Sequence, residues 1–206
     1  MIKDCSLVIL HQPGKVKKAR VLAKDKTNDL ALLKADFRPK AVFAISRTNP
    51  SLMQDIMVAG YPFGRSISSS VKITRGIVSS LTGMGDNYSN MQIDAAIQPG
   101  NSGGPIIDDY GNVVGVSVAT LNKRFYLKER GTIPENINFG IKASVASSFV
   151  EANNIEVPRP NTSHMTRSRK ANLVTNGTHY LSCWMTKAQL KKTRSKKSLV
   201  INIDPT

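Results

Sequence analysis

Acidic side chains are scarce in this sequence: 14 Asp and Glu stand against 29 Lys and Arg, for a formal net charge of +15. A chain this basic repels other cationic surfaces and is drawn to phosphates and carboxylates. Cysteine is scarcer still. Cys5 and Cys183 lie far apart and lack the close spacing of metal-ligand pairs, which argues against a metal centre and against a disulfide framework. One tryptophan and 6% aromatics overall leave little for stacking against bases. No apolar run approaches the roughly 20 residues that cross a bilayer as a helix, so no membrane span is expected. The opening Met1-Ile-Lys-Asp-Cys5 has no long apolar core behind its charge, unlike a secretory leader, so as written the chain is expected in the cytoplasm, and outside it if an upstream segment has been lost. No repeat or heptad is present, and no cofactor is expected.

What is there is unevenly spread. Residues 159–206 hold ten Lys and Arg against one acid, Asp204, and the composition turns to Ser, Thr, Asn and Arg after Pro158-Arg-Pro160. A boundary is therefore placed between a domain over 1–158 and a basic extension over 159–206. Such an extension can bind polyanions weakly by releasing their counterions, or it can simply be solvated. His179–Met185 and Leu199–Ile203 could form strands of a small appendage.

Ahead of the boundary the pattern is that of short strands. Cys5–Leu10 and Lys15–Ala23 flank a Gln12-Pro-Gly14 turn, and Ala31–Leu33, Asp55–Ala59 and Val71–Val78 follow. Gly, Pro and Asn turns with almost no helical periodicity indicate an all-β barrel or sandwich. The exception is Lys142–Asn153, where Val145, Phe149 and Val150 share one helical face and Asn153-Asn154 supplies a stop.

The densest local signal is Gln98-Pro-Gly-Asn-Ser-Gly-Gly-Pro105. Three glycines and two prolines there hold the backbone in turns that ordinary side chains resist. A small hydroxyl on such a loop, Ser102, suits a nucleophile whose neighbouring N–H groups converge on a developing oxyanion. A tight turn between strands would have the same composition. The fuller string Gln92-IDAAIQPGNSGGPIID resembles the nucleophile loop of trypsin-like serine peptidases, specifically their HtrA-type bacterial branch. Thr27-Asn-Asp-Leu-Ala-Leu-Leu-Lys34 resembles the aspartate segment of that family. Gly60-Tyr-Pro-Phe-Gly64, Thr74-Arg-Gly-Ile-Val78 and Asn138-Phe-Gly-Ile-Lys142 resemble three further blocks, in the same order, and the similarity spans residues 5 to 153.

The resemblance implies two packed β-barrels: an incomplete first one, and a complete second one from about Leu52 to Ala143, followed by a short helix and the basic tail. Half a barrel would leave an unpaired edge and an open apolar face. It also implies that Ser102 is the nucleophile, that Asp29 orients the base, and that the N–H groups of Gly100 and Ser102, with Asn101 between them, form the oxyanion hole. Ala96, six positions before the nucleophile, implies a pocket for a small or medium apolar side chain. Asn138, Phe139, Gly140 and Ile141 would wall that pocket and pair with an extended polypeptide substrate. The base itself is not found. Projected back from Asp29, the family's histidine falls at or before Met1, and His11, His164 and His179 all lie in other contexts.

Three functions therefore stand side by side. The first is a serine endopeptidase-like protein, inactive as given because its triad has no histidine. The second is a non-catalytic relative that binds extended peptides or a protein partner. The third is a polyanion or nucleic-acid binder acting through the tail.

Overall fold

The computed structural model of the chain describes residues 2, 5–64, 68–120, 127–128, 131–132 and 135–191. The expected strand at Leu199–Ile203 lies outside them. Two β structures divide the described residues. The first begins as a meander of β1 (Leu7–Gln12), β2 (Lys15–Asp25) and β3 (Leu30–Ala35), turned at Gly14, whose φ of 69° favours glycine. Val8, Leu10 and Ala19 are its buried side chains, and the alternation along β1 makes one face apolar.

The second is a closed barrel of β4 (Asp55–Gly60), β5 (Lys72–Ser80), β6 (Asn90–Ile93), β7 (Pro105–Ile107), β8 (Val113–Thr120) and β9 (Asn138–Lys142). Its strands run in the spatial order β4-β5-β6-β9-β8-β7. Ile56, Val58, Val78, Met91, Ile93, Ile106 and Val114 meet in its interior, none more than 1% exposed. Each contributes about 1.5–3 kcal/mol by leaving water. The expected complete second barrel and incomplete first one are both present. Helix α1 (Ala143–Glu151) follows β9 as its periodicity requires, and Asn153 closes it by donating Nδ2–H to the Phe149 carbonyl at 2.7 Å.

The tail departs from expectation. Composition changes at Pro158, but the packing continues through it. Asn161 exchanges two hydrogen bonds with the Asn112 side chain, and the Met165 N–H donates to the Asp109 carbonyl. Thr166 then caps helix α2 (Arg167–Gly177) by accepting from the Arg169 N–H. Val174, fully buried, joins Ala59, Ile107 and Val113 on the outside of the barrel. The buried Lys170 ammonium is paired with Asp109 and holds that carboxyl below the usual carboxylate range. Composition could not show this docking, because one buried valine and one paired lysine barely alter a polar helix's average.

Strand β10 (Tyr180–Trp184) then pairs antiparallel with β1 from Leu7↔Trp184 to His11↔Tyr180. The open sheet is therefore four-stranded, in the order β10-β1-β2-β3. Residues from the far end of the chain thus cover β1, and the edges of the sheet lie at β10 and β3. The two cysteines, too distant in sequence to suggest pairing, are joined as Cys5–Cys183 across this same strand pair.

Candidate active site

The Ser102 loop hangs between β6 and β7 and is fixed from three sides. Gly100, at φ 110°, lets the backbone press against the Tyr61 carbonyl, where any Cβ would collide. The Phe63 N–H donates to the Pro99 carbonyl at 2.7 Å, which ties the loop to the Gly60–Gly64 turn. On the β8 side, the Gly103 N–H donates to the Ser117 carbonyl at 2.7 Å and the Ser117 N–H to the Gly104 carbonyl at 2.9 Å. The buried Ser117 hydroxyl donates to the Asn101 carbonyl.

The approach to the loop is held by two of the blocks the sequence singled out, Thr74–Val78 and Asn138–Lys142. The Asp94 carboxylate accepts from the Ile77 N–H at 2.6 Å. Thr74 Oγ1 donates to the Ala96 carbonyl at 2.9 Å, and Asn138 Nδ2 to the Ala95 carbonyl at 2.8 Å. Two stretches distant in sequence thus lock one strand-to-loop entry. Ala96 is exposed, so its methyl group faces solvent while its carbonyl is committed to Thr74.

Within the loop, the Asn101 and Gly104 N–H groups donate to the Gln98 and Asn101 carbonyls, and that of Gly103 donates to Ser117 on β8. Those of Gly100 and Ser102 make no hydrogen bond among the described residues. Two free donors flanking one residue are what a carbonyl oxygen gaining negative charge requires. Asn101 is 2% exposed, and its Oδ1 is a buried acceptor without a partner among the described residues. Ser102 Oγ donates to the Val118 carbonyl at 2.7 Å, its one side-chain hydrogen bond among the described residues. An amide carbonyl accepts that bond but does not take the proton, so Ser102 is held as a neutral alcohol.

No triad forms around it among the described residues. Asp29 is exposed in the β2–β3 turn at φ 54°, and its carboxylate has no hydrogen bond or ion pair among those residues. The turn is instead braced by Asp25, which accepts from the Thr27 and Asn28 N–H groups and from Asn28 Nδ2. His11 Nε2 lies 2.8 Å from Ser182 Oγ, with its ring 5.0 Å from Tyr180. His179 meets Phe37 edge-on at 5.0 Å, and burial pushes its pKa down. Exposed His164 lies 4.3 Å from Tyr110. None of the three histidines is bonded to Ser102, whose hydroxyl goes to Val118.

The Asn138–Ile141 stretch also differs from its expected geometry. Strand β9 is bonded on one side to β6 and on the other to β8, so it offers no free edge to an extended peptide. Asn138, Phe139 and Ile141 are buried, and the Asn138 amide serves Ala95. A groove of about 740 Å³ beside Ser46, Asp108, Asn112 and Arg159 shares no residue with the Ser102 loop. Among the described residues no cluster of metal-ligating side chains is present.

Sequence reasoning missed Val118, whose carbonyl occupies the Ser102 hydroxyl, and Tyr61, which links the loop to the tail. The Tyr61 hydroxyl donates to the Thr178 carbonyl at 3.1 Å and its ring meets Tyr180 at 5.6 Å. Backbone acceptors carry no residue-type signal, and a contact to β10 required knowing where β10 goes.

Comparison with known proteins places this geometry in a family setting. The sequence profile of the trypsin-like peptidase domain matches residues 5–116. The serine protease Do-like HtrA of Lactobacillus helveticus is 33% identical over 150 residues, covering 69% of this chain and 35% of that protein. An uncharacterized Sinorhizobium fredii protein, y4bJ, is 39% identical over 151 residues, 73% of this chain and 24% of its own length. The crystal structure of the serine endoprotease from Yersinia pestis superposes with a TM-score of 0.57 at 27% identity, covering 73% of this chain and 50% of that one. The chain thus spans a quarter to a half of the length of these relatives.

Proposed function

Because the chain belongs to the trypsin-like serine peptidases of the HtrA type, we propose that its Ser102 loop is a serine-peptidase site that receives polypeptide but does not turn it over in this chain. The observation that carries this reading is the pair of unbonded donors at Gly100 and Ser102 beside a hydroxyl committed to Val118. Acyl transfer needs a nucleophile, donors for the oxyanion and a base. Ser102 and the N–H groups of Gly100 and Ser102 would supply the first two. The third would have to come from a histidine, and Asp29 would orient that histidine rather than replace it. Loss of the base lowers such a reaction by several orders of magnitude.

A second reading has its own support. Donors that bind a carbonyl, next to a serine tied elsewhere, suit a protein that holds a peptide without cutting it. One experiment tests both. The chain is incubated with an unfolded protein beside a Ser102→Ala control, and binding of the same polypeptide is followed by fluorescence anisotropy. Negligible serine-dependent cleavage is expected, with binding retained in Ser102→Ala and lost in Gly100→Ala, whose Cβ collides with Tyr61. Serine-dependent turnover at the level of an intact peptidase would overturn the proposal. Binding unchanged in Gly100→Ala would remove the loop from recognition.

A further inference from the structure

One face of the open sheet carries side chains for which peptidase chemistry has no use. Register identifies them, because residues paired across neighbouring strands project to the same side. Leu7 pairs with Trp184, Ile9 with Ser182 and Lys18, His11 with Tyr180 and Val16, and Arg20 with Lys34. The intervening Val8, Leu10 and Ala19 are buried on the other side; on this one, His11 and Tyr180 are half-buried toward Tyr61, while Lys18, Arg20, Lys34 and Trp184 are exposed. Lys18, Arg20 and Lys34 are exposed on it and form no ion pair among the described residues. Lys18 and Arg20 are roughly 7 Å apart along β2. Arg20 stands directly opposite Lys34, a like-charge pair that by itself weakens a sheet. Asp36, just past β3, is paired with Lys17 at 3.8 Å.

The same face holds Trp184, the chain's only tryptophan, 59% exposed on the edge strand β10. Its Nε1–H donates to Ser182 Oγ at 3.1 Å, which fixes the indole while leaving most of it to solvent. Isolated cations would suit any polyanion. Three uncompensated cations with an anchored, exposed indole on one sheet face suit a polymer that alternates phosphates with flat rings. We propose that this face binds single-stranded nucleic acid, with Lys18, Arg20 and Lys34 on phosphates and Trp184 stacked on a base. The basic tail is then not the principal contact. This inference is independent of the peptidase reading.

The single tryptophan makes the test direct. The full chain is titrated with an oligothymidylate of about 20 nucleotides while tryptophan emission is recorded over a range of salt concentrations. Quenching is expected, with affinity falling steeply as salt rises. Replacing Lys18, Arg20 and Lys34 together by Gln should weaken binding at least about tenfold and reduce the salt slope by about 2, near 0.7 for each phosphate no longer neutralised. Replacing the exposed Arg159, Arg167 and Arg169 by Gln should change affinity less than about threefold. Trp184→Ala should cost about fivefold or more, and Trp184→Phe should restore most of it. Thermal melts of each variant confirm that it is folded. Binding abolished by the tail arginine changes but kept in the sheet variant would overturn the proposal. So would heparin quenching Trp184 as strongly as the oligonucleotide while Trp184→Ala binds both normally, since the partner would then be any acidic polymer.

Discussion

In the barrel every strand has two hydrogen-bonded neighbours, whereas the open sheet stops at β3 on one side and at β10 on the other. The barrel removes its edges by closure and buries nine apolar residues in one continuous core. The sheet covers β1 with a strand from the opposite end of the chain and secures that strand covalently. Closure distributes stability over many interactions. The sheet concentrates it in a few: buried Val8, Leu10 and Ala19, the cystine, and the Tyr61–Tyr180 ring pair. The Ser102 loop draws on both. Its β8 side is held by the barrel, and its Tyr61 side is linked through Tyr180 and Thr178 to the tail.

The largest expected effect breaks the barrel. Ile106→Ala empties a fully buried site shared by β7 and its neighbours and should cost about 2–5 kcal/mol, seen as a lower midpoint in urea with all the barrel strands unfolding together. A change confined to β7 and β8 amides in hydrogen exchange would contradict the distributed core.

Opening the cystine comes next. Cys5→Ser with Cys183→Ser removes a link across 178 residues and should cost about 2–4 kcal/mol. Here the effect should be local. Amides of β1 and β10 are expected to exchange faster while those of β8 keep their protection. Uniform acceleration in both structures would make the sheet and barrel one cooperative unit.

Val174→Ala should cost about 1–3 kcal/mol, because the methyl groups removed from α2 leave a gap against Ala59, Ile107 and Val113. If α2 were merely lying on the surface, the variant would melt like the parent chain.

The smallest effect sharpens the comparison through pH. Burial lowers the His179 pKa from its ordinary 6.5, so the folded chain favours the neutral ring. Its contribution is full above about 6.5 and declines as pH falls toward the depressed folded value, where the unfolded chain binds the proton more readily. Attachment of β10 should weaken slightly between neutral and mildly acidic pH, and His179→Phe should flatten that slope. A slope unchanged in His179→Phe would assign it to another group.

Much of the barrel was legible because its signals are local. Ile56 and Val58 alternate with their neighbours, Val113–Val118 reads as a strand, and Lys142–Asn153 carries a helical stripe. The QPGNSGGP loop was legible for a similar reason: Gly100 must hold φ 110° where no side chain fits, and few residue types can do so. The assignment of Asn138–Ile141 to a peptide-pairing edge did not carry over, because whether a strand lies at an edge depends on neighbours far off along the chain.

The residues by themselves determined the strand-rich chemistry of the first 158 positions and the loop around Ser102. The tertiary structure decided the rest. It brought Cys183 to Cys5, set Trp184 on the face with Lys18, Arg20 and Lys34, and turned the Ser102 hydroxyl to Val118. The division follows from range. Backbone conformation and side-chain alternation are set within a few residues, whereas the pairing of β10 with β1 is a choice among distant edges, made by burial and register that no stretch of sequence holds alone.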